Sequence, residues 1–344
     1  MSDEFERAKT FDRATLLRRG AAGGGALALA GLLPTLASAR RSGVTLNLVA
    51  YSTPKPVLTK LISGFQATPG GSGVSFQASY GGSSAQAAAV VAGQPADVVI
   101  FSTGTDMNLL AQHGLVSQAW NKQTYGGVVW NSVVVFGLRN GNPKHIKTWN
   151  DLVKSDVGVL IPNPFTAGIA KWDILTPYVA QRRLGKTEAQ AQAFIRTLYN
   201  HVVSQDSSGS NATNTFLSGK GDVLVTFESE TINGHIPHVI PRQTMLIDIY
   251  GAPTTQSQHQ NEVNAFLRYV RSPAGQTILG QNGYRPVDKH VFAQFAKSYP
   301  TRPGETTINN KLLGGWKAVD KKWFDPQNGI MAKIEQSLGV STSG

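Results

Sequence analysis

Four short segments of this chain place small or hydroxylated residues where an apolar run gives way to a helical pattern. They are Tyr51-Ser52-Thr53-Pro54, Gly81-Gly82-Ser83-Ser84, Thr166-Ala167-Gly168-Ile169 and Asp206-Ser207-Ser208-Gly209-Ser210-Asn211. At such joints the first amide N–H groups of a helix have no intrahelical acceptor and carry a partial positive charge, so they bind anions. Taken singly, each joint also reads as an ordinary capped turn, with Ser83 as N-cap of an Ala-rich helix. All four turned into one cleft would make a cradle for an oxyanion. Spacing alone leaves both readings open.

Other chemistries find less support. Gly185-Lys186-Thr187 has the ending of a phosphate-binding loop, but Ala180 stands where its first glycine belongs and no strand precedes it. A solvated helix end is the simpler reading. His235 and His238 are three apart, yet Pro237 lies between them and no acidic ligand is adjacent, so they read as loop histidines rather than a zinc pair. Glu228 and Glu230 are two apart, so a helix would not put them on one face for paired acid–base work. A capping or interlobe contact is their default. The chain contains no G-x-S-x-G elbow and no HExxH motif. An exported hydrolase using Glu228 or a histidine, or a surface interaction module, are the alternatives from other classes.

The elements that must position the four joints alternate regularly. Val44–Val49, Val74–Ala78 and Asp97–Phe101 read as strands, and Pro56–Phe65, Ser84–Ala92 and Met107–His113 as the helices between them. The pattern restarts with a long strand over Val128–Leu138 and a turn cluster at Arg139-Asn140-Gly141-Asn142-Pro143. Strands follow at Val157–Ile161, Asp222–Phe227 and Met245–Tyr250, with helices over Ala170–Leu184 and Ala189–Tyr199. Segments 261–271, 274–281 and the tail around Trp316–Leu338 read as helical. Continuous apolar strands between helices predict an α/β fold with a buried, largely parallel sheet. We expect two lobes with a ligand cleft between them: 44–130 plus 246–344, and 131–245, the chain crossing near 130 and returning near 245.

The first 39 residues read as an address. Arg18-Arg19 precede a small-residue apolar run from Gly20 to Leu33, and Ala37-Ser38-Ala39 offers a small-x-small cleavage pattern. Adjacent arginines with a glycine-rich run fit a twin-arginine export signal, an ordinary secretory signal being the alternative. The chain has 344 residues, 32 basic and 21 acidic. The leader carries five and four of these, leaving 27 and 17 and a net charge of +10 on the mature part. That excess is scattered over residues such as Lys154, Lys171, Lys186, Arg268 and Arg271, with no basic block interleaved with aromatics. Nucleic acid is therefore not an expected partner, whereas a diffuse positive field suits attraction of a small anion. Zero cysteines exclude disulfides, thiolate metal sites, Cys nucleophiles and Cys-linked lipid anchors. No cofactor is implied.

Together these segments resemble the sulfate- and thiosulfate-binding proteins of ABC importers. The run Tyr80-Gly-Gly-Ser-Ser-Ala-Gln86 is similar to that family's H-[GA]-G-S-[GS]-K-Q motif. Ala96-Asp97-Val98-Val99, Arg139–Lys144, Thr148–Leu152, Pro162–Gly168, Thr213–Phe216, Gly221–Leu224 and Phe227-Glu-Ser-Glu230 match in order. So do Ser272–Gln276, Tyr284-Arg285-Pro286 and Gly314-Gly315-Trp316, so the resemblance covers about 46 to 325.

The resemblance implies a two-lobed periplasmic-binding-protein fold of type II. It implies a dehydrated sulfate held by helix N-terminal amides, one Ser hydroxyl and one Trp indole N–H, with no cationic counter-charge. Carried over, Ser83 supplies amide and hydroxyl, Ser52 a first-strand amide, Gly168 and Ile169 a pair of amides, and Gly209 another. Phe227 falls where the Trp donor belongs, and phenylalanine cannot donate. That departure leans toward thiosulfate, whose soft sulfur needs no strong donor, whereas Gly81-Gly82-Ser83 and Trp172 lean toward sulfate. A carboxylate acceptor would favour protonated phosphate over sulfate, and none is among these residues; Glu228 is the nearest acid, directed away. The expected protein is a monomeric, non-enzymatic periplasmic receptor that passes sulfate or thiosulfate to an ABC permease in the inner membrane.

Overall fold

The computed structural model describes residues 43–340, and the export leader read at 1–39 lies outside the described residues. The chain opens as β1 (Val44–Tyr51), α1 (Lys55–Gln66), β2 (Val74–Gly81), α2 (Ser83–Val91), β3 (Val98–Phe101) and α3 (Gly104–Gln112). It continues through β4 (Val128–Leu138), β5 (Val159–Leu160), α4 (Gly168–Arg183), α5 (Glu188–Asn200), β6 (Val202–Ser204) and α6 (Gly209–Leu217). Next come β7 (Val223–Phe227), α7 (Glu228–Asn233), β8 (His238–Val239) and β9 (Leu246–Pro253). The last helices are α8 (Gln260–Arg271), α9 (Pro273–Gly280), α10 (Lys289–Gln294), α11 (Trp316–Val319) and α12 (Ile330–Ser337).

Periodicity explains the helices. In α1, Val57, Leu58, Leu61 and Phe65 form the buried stripe, and Pro56 sits in the first turn, where its missing N–H is no loss. By contrast, every residue of α4 from Gly168 to Gln181 is buried, so this helix runs through the interior rather than over it. The tail differs from the single helical stretch expected. α11 passes into one wider turn at Asp320–Phe324, and the chain then breaks before α12. Asp325, whose carboxylate accepts from the Gln327 and Asn328 amides, makes that break.

The strands form one sheet in the order β2-β1-β3-β9-β4-β7-β5-β6, with β8 also paired to β4. β1 runs parallel to β2 and β3, and β5 parallel to β6 and β7. The centre is antiparallel, because β9 opposes both β3 and β4, and β4 opposes β7. The largely parallel sheet expected from sequence is thus confined to the two flanks. A continuous apolar run reports burial on both faces; it does not report strand direction.

β4 is the strand common to both halves of this two-lobed α/β fold. Its first residues, Val128–Val133, pair with β9, and Val134–Leu138 pair with β7. One apolar core crosses it, from Leu48 and Phe266 through Trp130 and Phe136 to Trp172 and Tyr199. This arrangement brings the N-terminal ends of α2, α3, α4 and α6 toward one another. Among the described residues no helix is long and apolar enough to cross a membrane.

Candidate functional site

A small cavity of about 180 Å³ of atom-free space lies where these helix starts meet. Its wall is built from Tyr51, Ser52 and Thr53 after β1, and from Gly81, Gly82 and Ser83 between β2 and α2. Ser102 after β3, Ala167, Gly168 and Ile169 at the start of α4, and Gly209 at the start of α6 complete it. Ser52, Ser83, Gly168, Ile169 and Gly209, singled out from sequence, therefore share one cavity. Phe227 does not reach it. That ring is fully buried and packs edge-on against Tyr51, with centroids 6.5 Å apart, and Tyr51 forms the wall.

The wall contains no Lys, Arg, His, Asp or Glu. Its polarity comes from backbone and hydroxyls. Ser83, Gly168 and Gly209 are the first residues of α2, α4 and α6, helices of 9, 16 and 9 residues. Their amides belong to the set that has no intrahelical acceptor, and three helix dipoles point their positive ends at one volume. The N-cap of α2 is Gly82, in extended conformation, so Ser83 is the first helical residue rather than the cap expected from sequence. α6 has a true hydroxyl cap, Ser208, which accepts from the Asn211 amide.

Close approach explains the glycines. A Cβ on Gly82 would lie 2.4 Å from the Thr166 carbonyl oxygen and 2.5 Å from that of Ser207. A Cβ on Gly168 would lie 2.5 Å from Ser102 Oγ, and one on Gly209 2.9 Å from Thr53 Cγ2. The Ala85 amide also donates to the Thr166 carbonyl at 3.1 Å, and Trp172 Nε1 to the Ser102 carbonyl at 2.7 Å. Trp172 in turn meets Trp316 edge-on at 4.9 Å. Segments 81–103, 166–172 and 207–209 are closed onto one another around the cavity.

The Ser83 hydroxyl is not free. It donates to Asp106 Oδ2 at 2.6 Å and accepts from the Ser102 amide at 3.0 Å. Asp106, 1% exposed, also receives the Ser84 hydroxyl at 2.8 Å and the Thr103 hydroxyl at 2.8 Å. One carboxylate in the first turn of α3 thus gathers three hydroxyl donors from two helix starts. In this structure the Ser83 hydroxyl, expected from the resemblance to face the anion, donates instead to Asp106. Asp106, one hydrogen bond behind the wall, also stands closer than Glu228, the acid sequence reasoning named. Glu228 is turned away into a pair with Arg285, Nε–Oε2 2.6 Å.

Behind Thr53 lies a second buried carboxyl. Glu230 accepts from the Thr213 hydroxyl at 3.0 Å. Burial lifts it from its ordinary 4.5 to about 7, against the pull of the Thr213 and Thr53 hydroxyls. Folding therefore favours its neutral form. The contribution to stability is fully present below about 4.5 and is lost as pH rises through 7. Glu230→Gln, neutral throughout, should remove that part of the slope, making the variant the more stable protein at alkaline pH. Thermal unfolding on both sides of neutrality checks this, and an unchanged slope would refute it.

With this geometry in view, comparison with known proteins is decisive at the level of family. Residues 46–285 match the model of the bacterial extracellular solute-binding proteins. The chain belongs to that family. Within it, the sulfate-binding protein of Escherichia coli strain K12 is 33% identical over 253 residues, covering 70% of this chain and 76% of the relative. The thiosulfate-binding protein of Pseudomonas aeruginosa is 32% identical over the same shares of each. Among solved structures, the sulfate-binding protein SubI from Mycobacterium tuberculosis H37Rv superposes with a TM-score of 0.78 at 37% identity. It covers 81% of this chain and 98% of its own. Like its relatives, this solute-binding protein takes part in transport by capturing a solute, and the cavity is where its helix starts offer unpaired donors.

Proposed function

We propose that this protein captures sulfate between its lobes and delivers it to an ABC permease. The amides of Ser52, Ser83, Gly168, Ile169 and Gly209 hold the anion, and the protein makes or breaks no bonds. The observation that carries this reading is the wall itself: three helix N-termini converge on about 180 Å³ bounded by neutral groups alone. So confined a space favours a small ion over a sugar or peptide. The first two relatives described above, and SubI, carry sulfate or thiosulfate in their names.

In this reading one lobe comprises 44–130 plus 246–344 and the other 131–245, with β4 and β9 as the hinge strands. The protein works as an exported, periplasmic monomer after loss of its leader. Its scattered positive charge draws the anion in, so association should slow as salt rises. Because a carboxylate acceptor is missing from the wall, phosphate, which carries a proton at neutral pH, is disfavoured.

Thiosulfate is the second reading. It is favoured by Phe227, which offers no donor, and by Ser83, whose hydroxyl already donates to Asp106. Calorimetry with sulfate, thiosulfate, molybdate and phosphate separates the two. The expected result is one-to-one binding of sulfate, with phosphate much weaker; tighter phosphate binding would sink the proposal.

A further inference from the structure

We propose that Ser102 supplies the side-chain hydroxyl donor to the bound oxyanion and sets its preference for sulfate. This rests on the oxyanion reading above. Ser102 is 0% exposed and lines the cavity. Its backbone is clamped on both sides, the amide donating to Ser83 Oγ and the carbonyl accepting Trp172 Nε1. Its Oγ is fully buried and has no hydrogen-bond partner. It faces the first residue of α4, where a Cβ on Gly168 would come within 2.5 Å. A buried hydroxyl left unpaired costs free energy unless something accepts its proton. An anion held in the volume on which three helix starts converge would accept that proton, since Ser102 lines it.

The same bonds explain why this residue and not its neighbour does the work. Ser83 accepts from the Ser102 amide while giving its own proton to Asp106, so it positions Ser102 and is itself used up. Phe227 has no donor and stands behind Tyr51. The Ser52 hydroxyl is likewise unpaired, but its residue is half-exposed and its backbone is not held from both sides. Sulfate presents four equivalent oxygens, so one always meets Ser102. Thiosulfate can turn its sulfur there and lose little.

Ser102→Ala tests this by titration calorimetry against sulfate and thiosulfate, with the melting temperature of the ligand-free protein measured alongside. A hydrogen bond to a charged group predicts that sulfate weakens by about 10- to 100-fold while thiosulfate weakens much less. The ligand-free melting temperature should hold, because Oγ bonds to no protein group. Sulfate affinity within about twofold of wild type, or an equal loss for both anions, would overturn the assignment. Should the alanine variant fail to fold, Ser102→Cys fills the same position with a larger thiol that is only a weak donor, and wild-type sulfate affinity in it would overturn the assignment equally. Wild-type protein that binds neither anion would instead refute the oxyanion reading itself.

Discussion

Replacing Gly82 by alanine is expected to abolish tight anion binding while leaving the protein folded. The Gly82 backbone, at φ −62° and ψ 136°, is one that any residue adopts, so alanine imposes no strain of its own. What alanine cannot do is fit. Its Cβ would sit 2.4 and 2.5 Å from two carbonyl oxygens, Thr166 and Ser207, and neither can swing aside as a flexible side chain would. The segments must stay apart by about an ångström. That separates the Ala85–Thr166 bond and pulls the starts of α4 and α6 away from the start of α2. Losing two hydrogen bonds to a charged ligand costs roughly 3–6 kcal/mol, so affinity should fall by at least about 100-fold. Alanine is also a poorer N-cap than glycine, a cost of at most about 1 kcal/mol to stability. Calorimetry paired with melting of the ligand-free protein distinguishes the two effects. Full affinity in the variant would mean that the contacts seen at Gly82 are not part of the ligand-binding arrangement.

The second large effect falls on stability. Glu228 and Arg285 make a bidentate pair, Oε2–Nε 2.6 Å and Oε1–Nη2 3.0 Å, with the two side chains 1% and 2% exposed. The arginine also donates to the Pro300 carbonyl at 3.1 Å, fixing the loop beyond α10. Glu228 opens α7 within 131–245, and Arg285 bridges to Asn131 from the returning segment. The pair therefore joins stretches that the proposed lobe assignment separates. Without Glu228, Arg285 keeps only the longer contact to Glu305, Nη1–Oε2 3.8 Å, so losing this partner of a buried pair costs about 3 kcal/mol, whereas replacing both by apolar residues costs less. Glu228→Ala should unfold at a markedly lower denaturant concentration, and Glu228→Ala with Arg285→Met should recover much of the loss. A single variant within about 1 kcal/mol of wild type would contradict this account.

Much of this was legible in the sequence because helices announce themselves by period. α1, α2, α4, α5, α8 and α9 all begin and end within three residues of where the apolar spacing put them. Strand direction was not legible, since Val128–Leu138 reads the same whether its neighbours run with it or against it. β6 and β8 were missed because three- and two-residue strands carry no periodicity. At the site, the small and hydroxylated joints left a capped turn and an anion cradle both open, and only the family resemblance pointed to the second. Side-chain roles did not show. That Ser83 gives its proton to Asp106 depends on α3 packing beside α2, a tertiary fact with no local mark. Ser102-Thr103-Gly104 is a fifth hydroxyl-and-glycine joint of the kind already recognised. Like the others it follows an apolar strand, Val98–Phe101, and opens a helix, Gly104–Gln112.

The central claim is that a sulfate-type anion is held by neutral amides and hydroxyls at converging helix starts, with no cation beside it. A crystal structure of the protein grown with sulfate or thiosulfate tests this most directly. The account predicts a tetrahedral anion within about 3 Å of the Ser83, Gly168, Ile169 and Gly209 amides, with Ser102 Oγ donating to one of its oxygens. An anion bound elsewhere, or one sharing this cavity with a lysine or arginine side chain, would contradict it.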